Sequence, residues 1–271
     1  MGNITKAIIP VAGWGTRWLP LTRSIEKCML PIGNRPIVDY VVEDCFKAGI
    51  TDIYFVVAEG STQLQQFYSD NAKLNAYLSY SGKEDMLKYA TPPRANFHYI
   101  EQPQNSKYGT AIPVGLAAEY IKEQESVVVL MGDDFIYNHD GSSEVARLIQ
   151  STPENGNAML GVHRPAQELS RYGVIDLNDL GEFVRIVEKP APGYAPSDLI
   201  NVSKYVLNHD LLMAIKYYAD VDISGEYFIT DPINQYVVGG GSVKVVPVNG
   251  QYLDGGSVDG WFEANKIVLQ K

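Results

Sequence analysis

The apolar run Lys6–Val11 breaks at once into the loop Ala12-Gly13-Trp14-Gly15-Thr16-Arg17. No other stretch restricts the fold as much. A buried strand that empties into a glycine-bearing loop turns backbone N–H groups outward, where they can meet an anion. The next element must then carry the chain back before another strand can pair with the first. Arg17 adds a forked, permanently charged side chain suited to phosphate, and Lys27 follows before the segment closes at Pro31.

The same rhythm continues. Pro36–Ala48 carries apolar residues at helical spacing and stops at Gly49, and Asp52–Val57 is the next apolar run. Gln63–Leu78 is predicted helical, Asn96–Ile100 extended, Thr110–Lys122 helical and Val127–Met131 extended. This β–α alternation predicts an α/β domain built on a parallel, doubly wound sheet flanked by helices. Ligands of such sheets gather beyond the carboxyl ends of the strands, so the loops after Val11, Ile100 and Met131 are expected on one rim.

The second half is less regular. Short strands are predicted at Asn157–Val162, Gly173–Asp176, Phe183–Glu188, Leu199–Leu207 and Ser242–Pro247. Helices are predicted at Glu144–Gln150, Asp210–Tyr218, Thr230–Val238 and Asp259–Lys271. No repeat or linker divides the chain, and the polar stretch 82–95 with its Pro92-Pro93 pair reads as an excursion from one domain.

Composition excludes several functions. A net charge of −10 argues against general nucleic-acid binding, which leaves a basic balance or stripe. Two cysteines in 271 residues make no disulfide framework. The chain opens with no signal-like segment and holds no apolar run near the roughly 18 residues of a membrane span, so a cytoplasmic protein without a membrane partner is expected. His98, His139, His163 and His209 are scattered without zinc-ligand spacing.

Four short motifs carry chemistry, and each also suits a plain turn. Gly13-Trp14-Gly15 lacks the third glycine of a dinucleotide fingerprint, because Trp18 stands there, and no P-loop pattern exists. Gly132-Asp133-Asp134 follows a buried run, and carboxylates there suit Mg²⁺, which takes one or two of them plus phosphate oxygens. Asp254, before Gly255-Gly256, likewise ends an apolar segment. Glu188-Lys189 sets an acid and a base on opposite faces of an extended strand end, one able to read hydroxyls and the other a phosphate.

Taken in order, these motifs resemble the sugar-phosphate nucleotidyltransferases, above all the bacterial UTP–glucose-1-phosphate uridylyltransferase group. KAIIPVAGWGTRWLP, EKCMLPIGNRPIVDYVVEDC, GTAIPVG, VVVLMGDD, YGVI, VEKP, APSDL, KYVL, GEYFITD and YLDGGS carry the likeness along nearly the whole chain. The resemblance implies a single Rossmann-like domain over 1–271 with a mixed, mostly parallel sheet. Its nucleotide-binding half would span about 1–135 and its sugar-phosphate half about 136–271. It implies Mg²⁺-dependent transfer of a uridylyl group from UTP to glucose 1-phosphate. The rival pairs are dTTP with glucose 1-phosphate or another triphosphate and sugar phosphate, and the rival class is a silent nucleotide-sugar binder.

By the same resemblance, Ala12, Gly13, Gly15 and Thr16 face the nucleotide, and Gln102 and Gly109 read the pyrimidine. Arg17 and Lys27 hold the triphosphate, Asp133 and Asp254 ligate the metal, and Asp134 does so less well. Gly173 and Glu188 contact sugar hydroxyls, and Lys189 contacts the sugar phosphate. A homo-oligomer, dimer or tetramer, is expected. The chain departs from the group at Glu26, usually proline, at Cys28, usually glutamate, and at Gly255, usually cysteine. Its phrase GDDFIYNHDG leans towards the glucose-1-phosphate thymidylyltransferases. Substrate choice is expected to turn at Cys28.

Overall fold

The computed structural model describes residues 4–104 and 107–270. The chain begins with β1 (Lys6–Pro10), the two-residue strands β2 (Pro31–Ile32) and β3 (Arg35–Pro36), α1 (Ile37–Lys47) and β4 (Asp52–Ala58). It goes on through α2 (Gln63–Phe67), α3 (Ala72–Tyr80), α4 (Leu87–Ala90), β5 (Asn96–Gln102), α5 (Ala111–Ala117) and β6 (Val127–Leu130). Next come β7 (Asp134–Tyr137), α6 (Glu144–Ser151), β8 (Asn157–His163), β9 (Gly173–Leu177), β10 (Phe183–Glu188) and β11 (Leu199–Leu207). The last elements are α7 (His209–Asp220), α8 (Thr230–Val238), β12 (Val243–Pro247), β13 (Gln251–Asp254) and α9 (Val258–Leu269).

The main sheet is mixed, in the order β10-β9-β11-β6-β1-β4-β5, with β8 on β11 and β12 on β8. The strands β6, β1, β4 and β5 run parallel, so the loops after Pro10, Gln102 and Leu130 leave on one rim. In the second half β11 runs antiparallel to β6, β8 and β9, and β10 folds back on β9. The sheet is therefore mixed, as the family resemblance implies, rather than parallel throughout as the β–α alternation alone suggests. Between β9 and β10 the reason is local: Asn178 follows β9 with its side chain accepting from the Leu180 and Glu182 amides at 3.0 and 2.9 Å, a tight hairpin with no helix between strands.

Alternation along β1 divides the core. Ala7 and Ile9 pack with α1 and α9 on one face of the sheet, and Ile8 packs with α5 and α7 on the other. All three side chains are fully buried, as a strand covered on both faces requires.

Two expectations need correcting. The helix predicted at Gln63–Leu78 is two helices, because Ser69-Asp70-Asn71 interrupts it and the Asn71 side chain caps the second by accepting from the Leu74 amide at 3.0 Å. The helix predicted to Lys122 ends its α-helical part at Ala117 and tightens into a 3₁₀ turn, Ala118–Tyr120. The end of the last predicted helix, Lys271, lies outside the described residues.

Gly109 shows how tightly the rim is assembled. Its φ is +126°, and a Cβ there would lie 2.5 Å from both the backbone nitrogen and the carbonyl oxygen of Tyr227. Gly109→Ala is therefore expected to destabilise the fold by about 3 kcal/mol, read from the urea midpoint, since backbone strain and overpacking add.

Candidate active site

Close backbone approaches bring the separate motifs together. The Gly132 amide donates to the Pro10 carbonyl at 3.3 Å, and a Cβ on Gly132 would lie 2.4 Å from Val11 Cγ1. Only glycine lets the turn after β6 lie against the end of β1, and this puts Asp133 beside the loop that opens the chain. A separate two-stranded ribbon, β7 with β13, pairs Asp134 opposite Asp254. The Gly255 amide donates to the Asp133 carbonyl at 3.1 Å, and the Trp18 indole N–H donates to the Gly255 carbonyl at 3.2 Å. Gly15, at φ +61°, turns the loop so that its carbonyl accepts from the Trp18 amide at 2.8 Å and the Thr22 hydroxyl at 3.0 Å.

The polar side chains converge on this frame. Lys27 forms an ion pair with Asp133. Burial works against charge on both, yet Asp133 and Asp254 hold the Lys27 pKa above its ordinary value, and Lys27 and Lys204 hold Asp133 below the usual carboxylate range. Asp254 Oδ1 accepts from the Gly256 amide at 2.7 Å, and the Tyr172 hydroxyl donates to its Oδ2 at 3.4 Å. A Cβ on Gly256 would lie 2.7 Å from Asp254 Oδ1 and 3.7 Å from Asp133 Oδ2. Two carboxylates therefore face one small volume.

That pair fits Mg²⁺, which commonly takes one or two protein carboxylates and completes its octahedron with phosphate and water. No group of three or more His, Cys, Asp or Glu side chains suited to an all-protein cage occurs among the described residues. Asp134 is engaged elsewhere. It is buried, ion-paired with Lys204, and accepts from the Tyr252 hydroxyl at 2.9 Å. Burial, with Asp133 and Asp254 nearby, pushes its carboxyl up to about 6 against the pull of Lys204.

The second half supplies another group. Glu188 Oε1 accepts from the Thr230 hydroxyl at 2.8 Å, and burial raises its pKa. Gly173 pairs with Glu188 across β9 and β10, and a Cβ there would meet Glu188 Oε1 at 2.9 Å. Lys189, at φ +44°, leaves the strand with its amide donating to the Tyr172 carbonyl at 3.0 Å. Its ammonium lies 3.4 Å from Glu226 and over the Phe228 ring at 4.9 Å. A cavity of about 310 Å³ is lined by Arg17, Arg171, Tyr172, Lys189 and Asp254, so the two halves meet across it.

Ala12 is half-buried, Gly13 and Thr16 are exposed in the opening loop, and a Cβ on Gly13 would meet nothing within 4 Å. Gln102 closes β5 on the same rim, opposite Ala58 in register. Gly109 packs on Tyr227, and neither Gln102 nor Gly109 bonds to Lys27, Asp133 or Asp254. Cys28 does not face the cleft. Its thiol is 3% exposed in the hydrophobic core and burial raises its pKa, so the expectation that substrate choice turns there has no contact to act through. Glu26 braces the Lys27 segment, accepting from the Ser61 hydroxyl at 2.6 Å while its own amide donates to Gln63 Oε1 at 3.1 Å.

Sequence reasoning missed Arg171, Tyr172, Lys204 and Tyr252. One signal was available: Lys204 stands alone in the apolar strand LINVSKYVL, and a lysine is almost never fully buried unless paired.

The fold and this rim define the class. Residues 6–271 match the nucleotidyl transferase family, and the chain belongs to it. A Methanocaldococcus jannaschii protein is 35% identical over 97% of this chain and 92% of its own length. UTP–glucose-1-phosphate uridylyltransferase 2 of Staphylococcus saprophyticus is 35% identical over 87% of this chain and 82% of its own. Among solved structures, the UTP-bound UGPase of Acinetobacter baumannii superposes with a TM-score of 0.85 at 27% identity, covering 98% of this chain and 93% of that one. No helix among the described residues is long and apolar enough to cross a membrane.

Removing Lys204 tests the support beneath the site. Lys204→Met should cost about 3 kcal/mol in urea unfolding, because the Asp134 charge is left buried without its partner. The Asp134 pKa is already raised in the folded state and rises further once Lys204 is gone. Stability carried by the protonated carboxyl is then lost as pH rises, so the destabilisation relative to the parent protein should be larger at pH 8 than at pH 5.

Proposed function

We propose that the chain transfers the uridylyl group of UTP to glucose 1-phosphate, giving UDP-glucose and pyrophosphate. One observation carries the reading: cations from both halves and the facing carboxylates Asp133 and Asp254 surround the place where the opening loop meets the second half. Such a group suits a reaction whose reactants and leaving group are all phosphates. The name and the bound UTP of the similar proteins support the choice of substrates.

In this reading a phosphate oxygen of glucose 1-phosphate attacks the α-phosphorus of UTP in line. The new oxygen–phosphorus bond forms as the α–β bridging bond breaks, and pyrophosphate leaves with its electrons. No protein nucleophile is needed, and catalysis rests on positioning and charge neutralisation. Ala12, Gly13, Gly15 and Thr16 would pass backbone along the nucleotide, and the open space beyond Gly13 suits so close an approach. Gln102 and Gly109 would border the pyrimidine.

Arg17 and Lys27 would bind the triphosphate and balance the departing pyrophosphate. Lys189 would hold the sugar phosphate, while Gly173 and Glu188 contact the sugar hydroxyls. Asp133 and Asp254 would hold Mg²⁺, which when bound supplies charge neutralisation to the phosphates. Meanwhile the Lys27 ammonium keeps the Asp133 carboxylate ionised and oriented.

Steady-state kcat/KM for UTP, dTTP, CTP and GTP, each with glucose 1-phosphate, tests the proposal. UTP should lead dTTP by about tenfold or more, the range one methyl group commands in a pocket. A clear preference for dTTP would replace uridylyl by thymidylyl transfer. Binding of UTP and UDP-glucose without pyrophosphate release would make the chain a nucleotide-sugar binder. Asp133→Asn should keep the circular-dichroism spectrum and lower turnover on the order of a hundredfold or more. Lys189→Ala should chiefly raise the KM for glucose 1-phosphate, and an effect confined to UTP would contradict its role.

A further inference from the structure

Arg171 takes no part in the expectations drawn from sequence, yet it lines the cavity with Arg17, Lys189, Tyr172 and Asp254. It closes a 3₁₀ turn, Ala166–Arg171, immediately before β9, and its guanidinium lies over the Tyr172 ring at 5.7 Å. Tyr172 in turn joins two other lining residues. Its hydroxyl donates to Asp254 Oδ2 at 3.4 Å, and its carbonyl accepts the Lys189 amide at 3.0 Å. Arg171 therefore rests on an aromatic platform fixed to both Asp254 and the Lys189 turn.

The charges of the cavity are unbalanced. Three cations face it against one carboxylate, and of the three only Lys189 has an acidic partner among the described residues, Glu226. Arg171 makes a ring contact and no ion pair there. A guanidinium held on a ring, with its donors left over and a cavity in front of it, suits a tetrahedral oxyanion.

Resting on the reaction proposed above, we infer that Arg171 is a further substrate-binding residue, whose guanidinium holds the phosphate of the sugar 1-phosphate together with Lys189. Its attachment decides between the two phosphate sources. Arg17 lines the same cavity but belongs to the opening loop, which the proposed reaction gives to the nucleotide. Arg171 is fixed through Tyr172 and Gly173 to the β9–β10 hairpin that carries Glu188 and Lys189. The attacking phosphate rather than the leaving pyrophosphate is thus its ligand.

Forward and reverse kinetics of Arg171→Gln, which keeps most of the stem without the charge, provide the test. KM for glucose 1-phosphate should rise about tenfold with that for UTP changed less than about twofold, as expected for loss of one charge-assisted contact. In the reverse direction KM for UDP-glucose should rise and that for pyrophosphate should not. Arg171→Lys should recover part of the loss, because it restores charge without the fork. A rise confined to pyrophosphate and UTP would assign Arg171 to the leaving group and overturn the inference. Unchanged constants throughout would make it a solvated surface cation.

Calorimetric titration of glucose 1-phosphate into the parent protein and Arg171→Gln separates this inference from the reaction on which it rests. A parent protein that releases no pyrophosphate would sink the reaction. The phosphate contact would still stand if the variant bound glucose 1-phosphate about tenfold more weakly, and would fall if both bound equally.

Discussion

The pairing of β7 with β13 holds the site together. It sets Asp134 opposite Asp254, so that the residue before one strand and the last residue of the other present carboxylates to a common space. Two like charges so close would repel, and the surroundings answer this with cations on two levels. Lys27 meets Asp133 in the cleft, and Lys204 meets Asp134 beneath it. The buried pair is costly to desolvate, and its value here lies in fixing the ribbon against the sheet. Tyr252, Tyr172 and Trp18 then anchor the ribbon by donating to Asp134, Asp254 and the Gly255 carbonyl.

This arrangement explains the concentration of glycines on the rim. Gly132 must lie against Val11, and Gly255 fits between Ile37 and the Asp133 carbonyl. Each brings one backbone within a distance that a side chain would forbid, and the approach, rather than flexibility, is the reason for the residue. The opening loop, the Asp133 turn and the ribbon can thus meet although they lie far apart in sequence. The departures from the related uridylyltransferases read differently on this frame. Glu26 is a brace between the Lys27 segment and Ser61, Cys28 is core, and Gly255 is a close backbone contact.

A cleft lined by Arg17, Arg171 and Lys189 with Asp254 among them suits phosphates by charge and shape, and the proposed reaction asks for no protein nucleophile. In the proposed reaction, discrimination among sugars and bases would fall to contacts near Glu188 and Gln102, where a single methyl group commands only about 1–3 kcal/mol. The division of labour follows the sheet. The parallel strands carry the opening loop and Asp133, and the antiparallel hairpin carries Glu188, Lys189 and Arg171.

Much of this was written locally. Apolar runs bounded by turn residues located the strands of the main sheet to within a residue or two, because a strand covered on both faces reads as a near-continuous apolar run. Thr230–Val238 appeared in the sequence with the bounds it has in the structure. Helix breaks at Ser69-Asp70-Asn71 were harder to see, since a cap acts through one side-chain hydrogen bond that periodicity does not register. The four residues of β7 were invisible for the same kind of reason: so short a strand exists only because β13 pairs with it.

The sequence by itself determined the α/β class, the rim on which loops gather and the residue types of the proposed phosphate site, because spacing and charge are properties of neighbours along the chain. Only the tertiary structure decided that Asp133 faces Lys27 while Asp134 is held by Lys204, that Cys28 is buried, and that Arg171 joins Arg17 and Lys189 across one cavity. Those are contacts between residues remote in sequence. Their partners are chosen by how sheet, ribbon and hairpin pack, which no local pattern encodes.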